Sequence, residues 1–167
     1  MIAYASTFDT RDGPFSIISD SNSVLASGWT SDLAALIALI HPSLRPASVS
    51  HDPAELLMFA RDAVLAYYDG RLDAPSTIPV HQFGATFHLR VWEELRRISP
   101  GNRITYAKLS ATAGNLRASR SAGHACAMNA AALFVPCHRV VRSDGTLGGF
   151  RYGAVIKGNL LEMEALE

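Results

Sequence analysis

Chemistry in this 167-residue chain gathers around one short string, Pro136-Cys137-His138-Arg139-Val140-Val141. A cysteine attacks as its thiolate, and a nearby base, cation or helix N-terminus must help it reach that form. His138 and Arg139 follow Cys137 directly, but sequence neighbours need not face each other, so a direct Cys–His contact is not implied. Taken alone, the string also fits a buried core cysteine, and Cys137 with His138 would suit a thiol hydrolase acting on acyl substrates. The other cysteine, Cys126, lies among small residues and is expected to be a small buried side chain. Together with His124 and His138 the two cysteines match no familiar zinc spacing, so no metal is expected.

The elements that must position these residues are partly legible. Alternating apolar residues predict strands over 2–7, 15–19 and 24–29, with turns at Asp12-Gly13-Pro14 and Asp20-Ser21-Asn22. Thr30 or Ser31 is placed to cap a short helix ending near Ile40. Pro42, Pro46 and Pro53 mark a loop. A second helix opens at Asp52 or Pro53 and ends at Gly70, with Leu56, Leu57, Phe59, Ala60, Val64, Leu65 and Tyr68 as its apolar face. A linker follows, and the domain boundary is expected between 78 and 79. Beyond it, helical spacing runs over 85–98, and Thr105 caps a helix over 106–113 that stops at Gly114-Asn115. A third helix runs over 118–128, ended by Asn129. Helix, short turn and helix is a helix-turn-helix pattern, which many proteins share without touching DNA. The third helix is rich in Ala, Ser and Gly, and Arg120 is the long cationic side chain near its start.

Charge points the same way. Net charge is zero, but residues 1–80 carry four basic and nine acidic side chains, whereas residues 85–158 carry eleven and three. A basic half facing a polyanion and a neutral or acidic scaffold half would produce this asymmetry, as would chance on a solvated surface. Hydrophobic residues make up 49% of the chain, enough for a real core. No apolar run is long enough for a membrane span. The start of the chain lacks the basic and apolar blocks of a signal peptide. A cytoplasmic protein with reduced thiols is expected, with no membrane partner.

The combined string resembles the signature of the O6-alkylguanine-DNA alkyltransferases. It comprises Asn129, a spacer, Pro136 to Val141, then Gly145 and Gly148-Gly149-Phe150. The resemblance extends over about residues 84–165. It takes in Phe87 to Trp92, Ile104-Thr105-Tyr106, Arg120-Ser121-Ala122-Gly123, Lys157, and Leu160-Leu161 with Glu164. The residues before it are similar to the family's first domain only in strand pattern and in Gly13-Pro14. The resemblance implies an RNase H-like α/β domain with antiparallel strands over 1–78. A helical domain with a winged-helix-like helix-turn-helix follows over 79–167.

It also implies roles. Cys137 would accept the alkyl group from O6 of guanine, with O4 of thymine as a second substrate, irreversibly and without a cofactor. His138 and Glu164 would form the proton relay, and Asn129 would tie the recognition helix to the cysteine loop. Tyr106, supported by Lys157, would protonate the leaving base. Arg120 would fill the gap left by a flipped nucleotide. Ser119, Tyr106, Ala122, Gly123 and Ala127 would line the DNA face, which in this family enters the minor groove. Val135, Pro136, Val140, Phe150, Arg151 and Tyr152 would form the base pocket. The implied partner is double-stranded DNA carrying O6-alkylguanine, bound by a monomer of bacterial type. The alternative on this scaffold is a lesion sensor with little repair activity, although such relatives lack the cysteine. The chain departs from the family at Ala130, where proline is usual, and in Phe87-His88-Leu89-Arg90, Ser121-Ala122 and Phe150-Arg151-Tyr152-Gly153. Family members that handle benzyl groups well tend to carry glycine where this chain has Tyr152.

Overall fold

The computed structural model describes residues 1–166. The chain divides into two compact units, Met1–Phe83 with Ala130–Phe134, and Gly84–Asn129 with the chain from Val135 onward. It is mixed α/β, a sheet unit followed by a helical one.

The first unit is a four-stranded sheet in the order β3-β2-β1-β4. Strands β1 (Ile2–Thr10), β2 (Gly13–Ser19) and β3 (Val24–Gly28) run antiparallel. The first hairpin closes with Thr10 opposite Gly13, and Gly13 takes φ +102°, a region that side chains avoid. Strand β4 (Ser48–Ser50) pairs parallel to β1. It falls in the stretch read as a loop, because three residues carry too little alternation to register as a strand. Helix α1 (Leu33–Leu39) precedes β4 and is capped by Asp32, which accepts the Ala35 N–H at 3.1 Å, rather than by Thr30 or Ser31.

Helix α2 (Glu55–Tyr68) buries Leu57, Ala60, Ala63, Val64, Ala66 and Tyr67. Phe59 and Leu65, expected on the inner face, are 56% and 40% exposed. The helix is apolar almost all round, so its spacing allows two faces, and the one with small residues lies inward. Tyr68 donates its hydroxyl proton to Asp12 at 2.7 Å and accepts the Trp29 indole N–H at 2.9 Å.

The outer edge of β3 is covered by chain from far away. Ser27 N–H donates to the Ala130 carbonyl at 2.9 Å, and Ala132 N–H donates to the Ser27 carbonyl at 3.2 Å. The Ser27 hydroxyl donates to the Ala132 carbonyl at 2.7 Å. Val80 bridges Val24 on the same edge. Ala130 also gives its N–H to the Gln82 side chain at 2.9 Å. A proline, the residue the resemblance would place there, has no N–H to give.

The second unit is helical. It contains α3 (Thr86–Arg96), α4 (Tyr106–Thr112), α5 (Ser119–Ala127) and α6 (Ala154–Ala165). Thr105 caps α4 as expected, accepting the Lys108 N–H at 3.1 Å. Val91, Trp92 and Leu95 of α3 are buried, and Trp92 donates its indole N–H to the Ala125 carbonyl of α5 at 2.8 Å. Two short parallel strands, β5 (Ile104–Thr105) and β6 (Val140–Val141), link the entry of α4 to the chain just after Cys137. Helix α6 buries Lys157, Leu160, Leu161 and Glu164.

Candidate active site

Backbone geometry sets the cysteine. Pro136 sits at φ −82°, ψ 64°, and the Cys137 N–H returns to the Val135 carbonyl at 2.8 Å. This is an inverse γ-turn, for which a proline ring already supplies the φ. Cys137 then opens a 3-10 turn, Cys137–Arg139. Asn129, just past α5, donates Nδ2 to the same Val135 carbonyl at 2.9 Å. Its side chain also hydrogen-bonds the Cys137 thiol. One amide thus fixes both the turn and the sulfur.

Cys137 is partly exposed. Burial pushes its thiol above the ordinary value, and the Asn129 hydrogen bond and the charges of Lys157 and Arg151 pull the other way without overcoming it. The resting group is a thiol, so reaction requires a base.

His138 is fully buried and donates Nε2–H to Glu164 Oε1 at 2.7 Å. Arg139 donates to both oxygens of the same carboxylate, Nη2 to Oε1 at 2.9 Å and Nε to Oε2 at 3.1 Å, and donates Nη1 to the Ile98 carbonyl at 2.7 Å. Burial raises the Glu164 carboxyl, but the hydrogen bonds and charges of His138 and Arg139 outweigh it and hold its pKa at about 2. Burial lowers the His138 pKa against the opposing pull of Glu164. The ring is therefore neutral and, with Nε2 committed as a donor, its lone pair lies on Nδ1. That nitrogen has no hydrogen-bond partner among the described residues. A neutral imidazole with an orienting carboxylate and a bare second nitrogen is a base waiting for a proton.

Lys157 is buried on α6 and ties two carbonyls, Val140 at 2.6 Å and Gly149 at 3.2 Å. Desolvation lowers its pKa, while the two cysteines act in the other direction. Tyr106 opens α4, its ring between two glycines. A Cβ on Gly123 would meet the ring at 3.7 Å, and one on Gly148 would meet the hydroxyl at 3.1 Å. Burial and the neighbouring cysteines raise the Tyr106 pKa, which keeps its proton available for donation. Gly148 has φ +76°. Gly148→Ala should therefore cost about 1–2 kcal/mol of stability and displace the Tyr106 hydroxyl. Gly149→Ala, with nothing within 4 Å of its Cβ, should be tolerated. Denaturation midpoints of the two variants check this.

Along α5, Arg120, Ser121, His124 and Ala127 are exposed, and Ser119 and Gly123 are half-buried. Ala122, expected on the DNA face, is fully buried and points inward with Ala125. Its small size serves helix packing rather than a groove. Cys126, expected to be buried, is partly exposed, and it lies close enough to Cys137, Lys157 and Tyr106 to feel their charge. Phe150 and Tyr152 meet edge to face at 5.8 Å. Tyr152 is half-buried; burial raises its pKa to about 12, and Cys137 acts on it in the same direction. The exposed Arg151 donates to the Ala127 carbonyl at the end of α5. Val135, Pro136 and Val140 are buried behind the cysteine.

Sequence reasoning missed Arg139. A charged residue between His138 and a two-residue apolar strand reads as surface, yet Arg139 is 6% exposed. Its one signal was its place inside the string. Among the described residues, no group of three or more His, Cys, Asp or Glu side chains comes together around one point.

The comparisons with known proteins agree with one another. Residues 86–166 match the family described as 6-O-methylguanine DNA methyltransferase, DNA binding domain. The chain is 44% identical over 93 residues to the bifunctional transcriptional activator/DNA repair enzyme Ada of Escherichia coli, covering 56% of this chain and 26% of that protein. It is 32% identical over 140 residues to a methylated-DNA–protein-cysteine methyltransferase of Methanothermobacter thermautotrophicus, covering 83% of this chain and 77% of that one. Among solved structures, Mycobacterium tuberculosis OGT in complex with DNA superposes with a TM-score of 0.80 at 27% identity, covering 98% of this chain and 93% of that chain.

Proposed function

Because the chain belongs to the methylated-DNA–protein-cysteine methyltransferase family, we propose that it repairs DNA directly, moving an alkyl group from O6 of guanine to Cys137 and keeping it there. The observation that carries this reading is the half-buried Cys137 set against buried Asn129, His138, Arg139 and Glu164, which gives a protonated thiol, a neutral base and a carboxylate to orient that base.

The step balances. The thiol proton passes through a water to His138 Nδ1. Sulfur attacks the alkyl carbon, the C–O bond breaks, and its electron pair leaves with guanine. Tyr106 donates its proton to N3 of the departing base, which offsets the developing negative charge. Lys157, by holding the Val140 and Gly149 carbonyls, positions the pocket wall around that base. Asn129 stabilises the sulfur as it ionises. A thioether has no easy hydrolytic exit, so each molecule acts once, and no cofactor takes part.

The target carbon is stacked within a duplex, so the nucleotide must leave the helix. Arg120 fills the gap from the minor groove, on the exposed face of α5 with Ala127. Phe150, Arg151 and Tyr152 wall the extruded base. The protein acts as a monomer in the cytoplasm. None of the described helices is long and apolar enough to cross a membrane.

The test is intact mass after incubation with a duplex containing O6-methylguanine, followed by peptide mapping. Transfer adds one methylene, and the modified peptide should hold Cys137. An alkyl group on Cys126 would sink the assignment. Tight binding with no mass gain would make the protein a lesion sensor instead.

Substrate range follows from Tyr152. Extra atoms in a close-packed site cost roughly 1–3 kcal/mol, so O6-benzylguanine should inactivate the protein slowly while O6-methylguanine in DNA reacts readily. Tyr152→Gly should speed the benzyl reaction roughly tenfold or more and leave the methyl reaction little changed. The ratio of the two second-order rate constants, in wild type and variant, is the measurement. An unmoved ratio would remove Tyr152 from the pocket.

A further inference from the structure

The second unit carries a histidine pair that the transfer reaction does not use. His88 on α3 and His124 on α5 have ring centroids 5.2 Å apart, with ring planes at 55°. The frame around them is fixed. Trp92, one helical turn beyond His88, donates to the carbonyl of Ala125, the residue after His124, at 2.8 Å. The His88 ring also lies 5.9 Å from the Trp92 ring. The two helices are therefore pinned together beside both imidazoles. His124 is exposed and His88 half-buried, so solvent reaches the pair.

Two imidazoles that share a tetrahedral zinc-class ion, each bound at about 2.0–2.1 Å, put their ring centroids about 5 Å apart. The observed separation already has that value.

We propose that His88 and His124 form an open two-imidazole site for a zinc-class divalent transition-metal ion, with water in its remaining positions. The ion would clip α3 to α5. Imidazole donors exclude magnesium and calcium, which take oxygen ligands. Since no third His, Cys, Asp or Glu among the described residues converges on the pair, the site is an exchangeable one and not a closed structural centre.

The experiment uses the full chain. Zn2+ should raise the thermal midpoint of the wild type, because a ligand that binds the folded state stabilises it, and Mg2+ should not. His88→Gln and His124→Gln should each lose the rise. In imidazole NMR spectra, Co2+ should broaden the His88 and His124 signals first. The proposal is overturned if either single variant keeps the full midpoint shift, or if broadening begins at His41, His51 or His81. Both cysteines remain in each variant, so an ion held by thiols would persist there and would also overturn it.

Discussion

Glu164→Ala should destabilise the protein by about 3–5 kcal/mol and slow alkyl transfer by about 10²–10⁴-fold. The carboxylate is 1% exposed and accepts from both His138 and Arg139. Removing it leaves a buried guanidinium without its counter-ion and an imidazole without the acceptor that fixes its tautomer. Glu164→Gln separates the two effects. It keeps the volume and an acceptor for His138, but turns an amide N–H2 toward the Arg139 donors and carries no charge to support an imidazolium. Its transfer rate should fall further than its stability. Chemical denaturation and single-turnover transfer, measured on the same samples, check both halves. A Glu164→Gln variant with wild-type rate would remove the relay.

The same residue sets the acid limit. Its folded pKa of about 2 lies below the ordinary 4.5, so the unfolded chain takes up the proton first. The stabilisation, about 3 kcal/mol, is complete above the unfolded pKa and is lost as pH falls from about 4.5 towards 2. His138 acts in the same direction at higher pH. Its folded pKa is also depressed, so stability begins to fall once pH drops below the ordinary imidazole value. The denaturation midpoint against pH should be flat near neutrality, then decline in two stages. Glu164→Gln should lack the second.

Arg120→Ala should lower repair of a lesion in duplex DNA by about 10²-fold and barely change reaction with free O6-alkylguanine base. Arg120 is exposed on α5. Its proposed work is to hold the flipped state, worth a few kcal/mol, and a free base needs no flipping. The comparison of the two rate constants is internal, because a misfolded variant would lose both reactions. Equal losses would remove the finger role.

The cysteine string pointed to Cys137 and His138 together, and the register of two further motifs pointed to Asn129 and Glu164; the structure brings Asn129 to the cysteine turn and Glu164 to His138. Glu164 also shows where the sequence stops being legible. Nothing around it marks it as buried; its burial follows from α6 carrying it inward with Leu160 and Leu161. Arg139 went unread because its partners, Glu164 and the Ile98 carbonyl, are 25 and 41 residues away. Ala122 was misassigned because a small residue suits a groove and a helix contact equally well, and only packing decides between them. Strand β4 escaped because its hydrogen bonds to β1, not its own pattern, make it a strand. The turn residues and the cap at Thr105, by contrast, act locally and were readable.

The covering of β3 has a consequence for synthesis. The Ser27 hydroxyl and its acceptor carbonyl on Ala132 are 105 residues apart. At roughly 5–20 residues per second, the Ser27 end of the β3 edge leaves the ribosome roughly 5–20 s before the segment that covers it, whereas Val80 reaches the Val24 end sooner. Through that interval the nascent chain displays an unpaired strand edge, the kind of surface that recruits other strands. Yield of soluble protein should therefore depend on translation speed and on chaperone supply more than the stability of the finished fold would suggest.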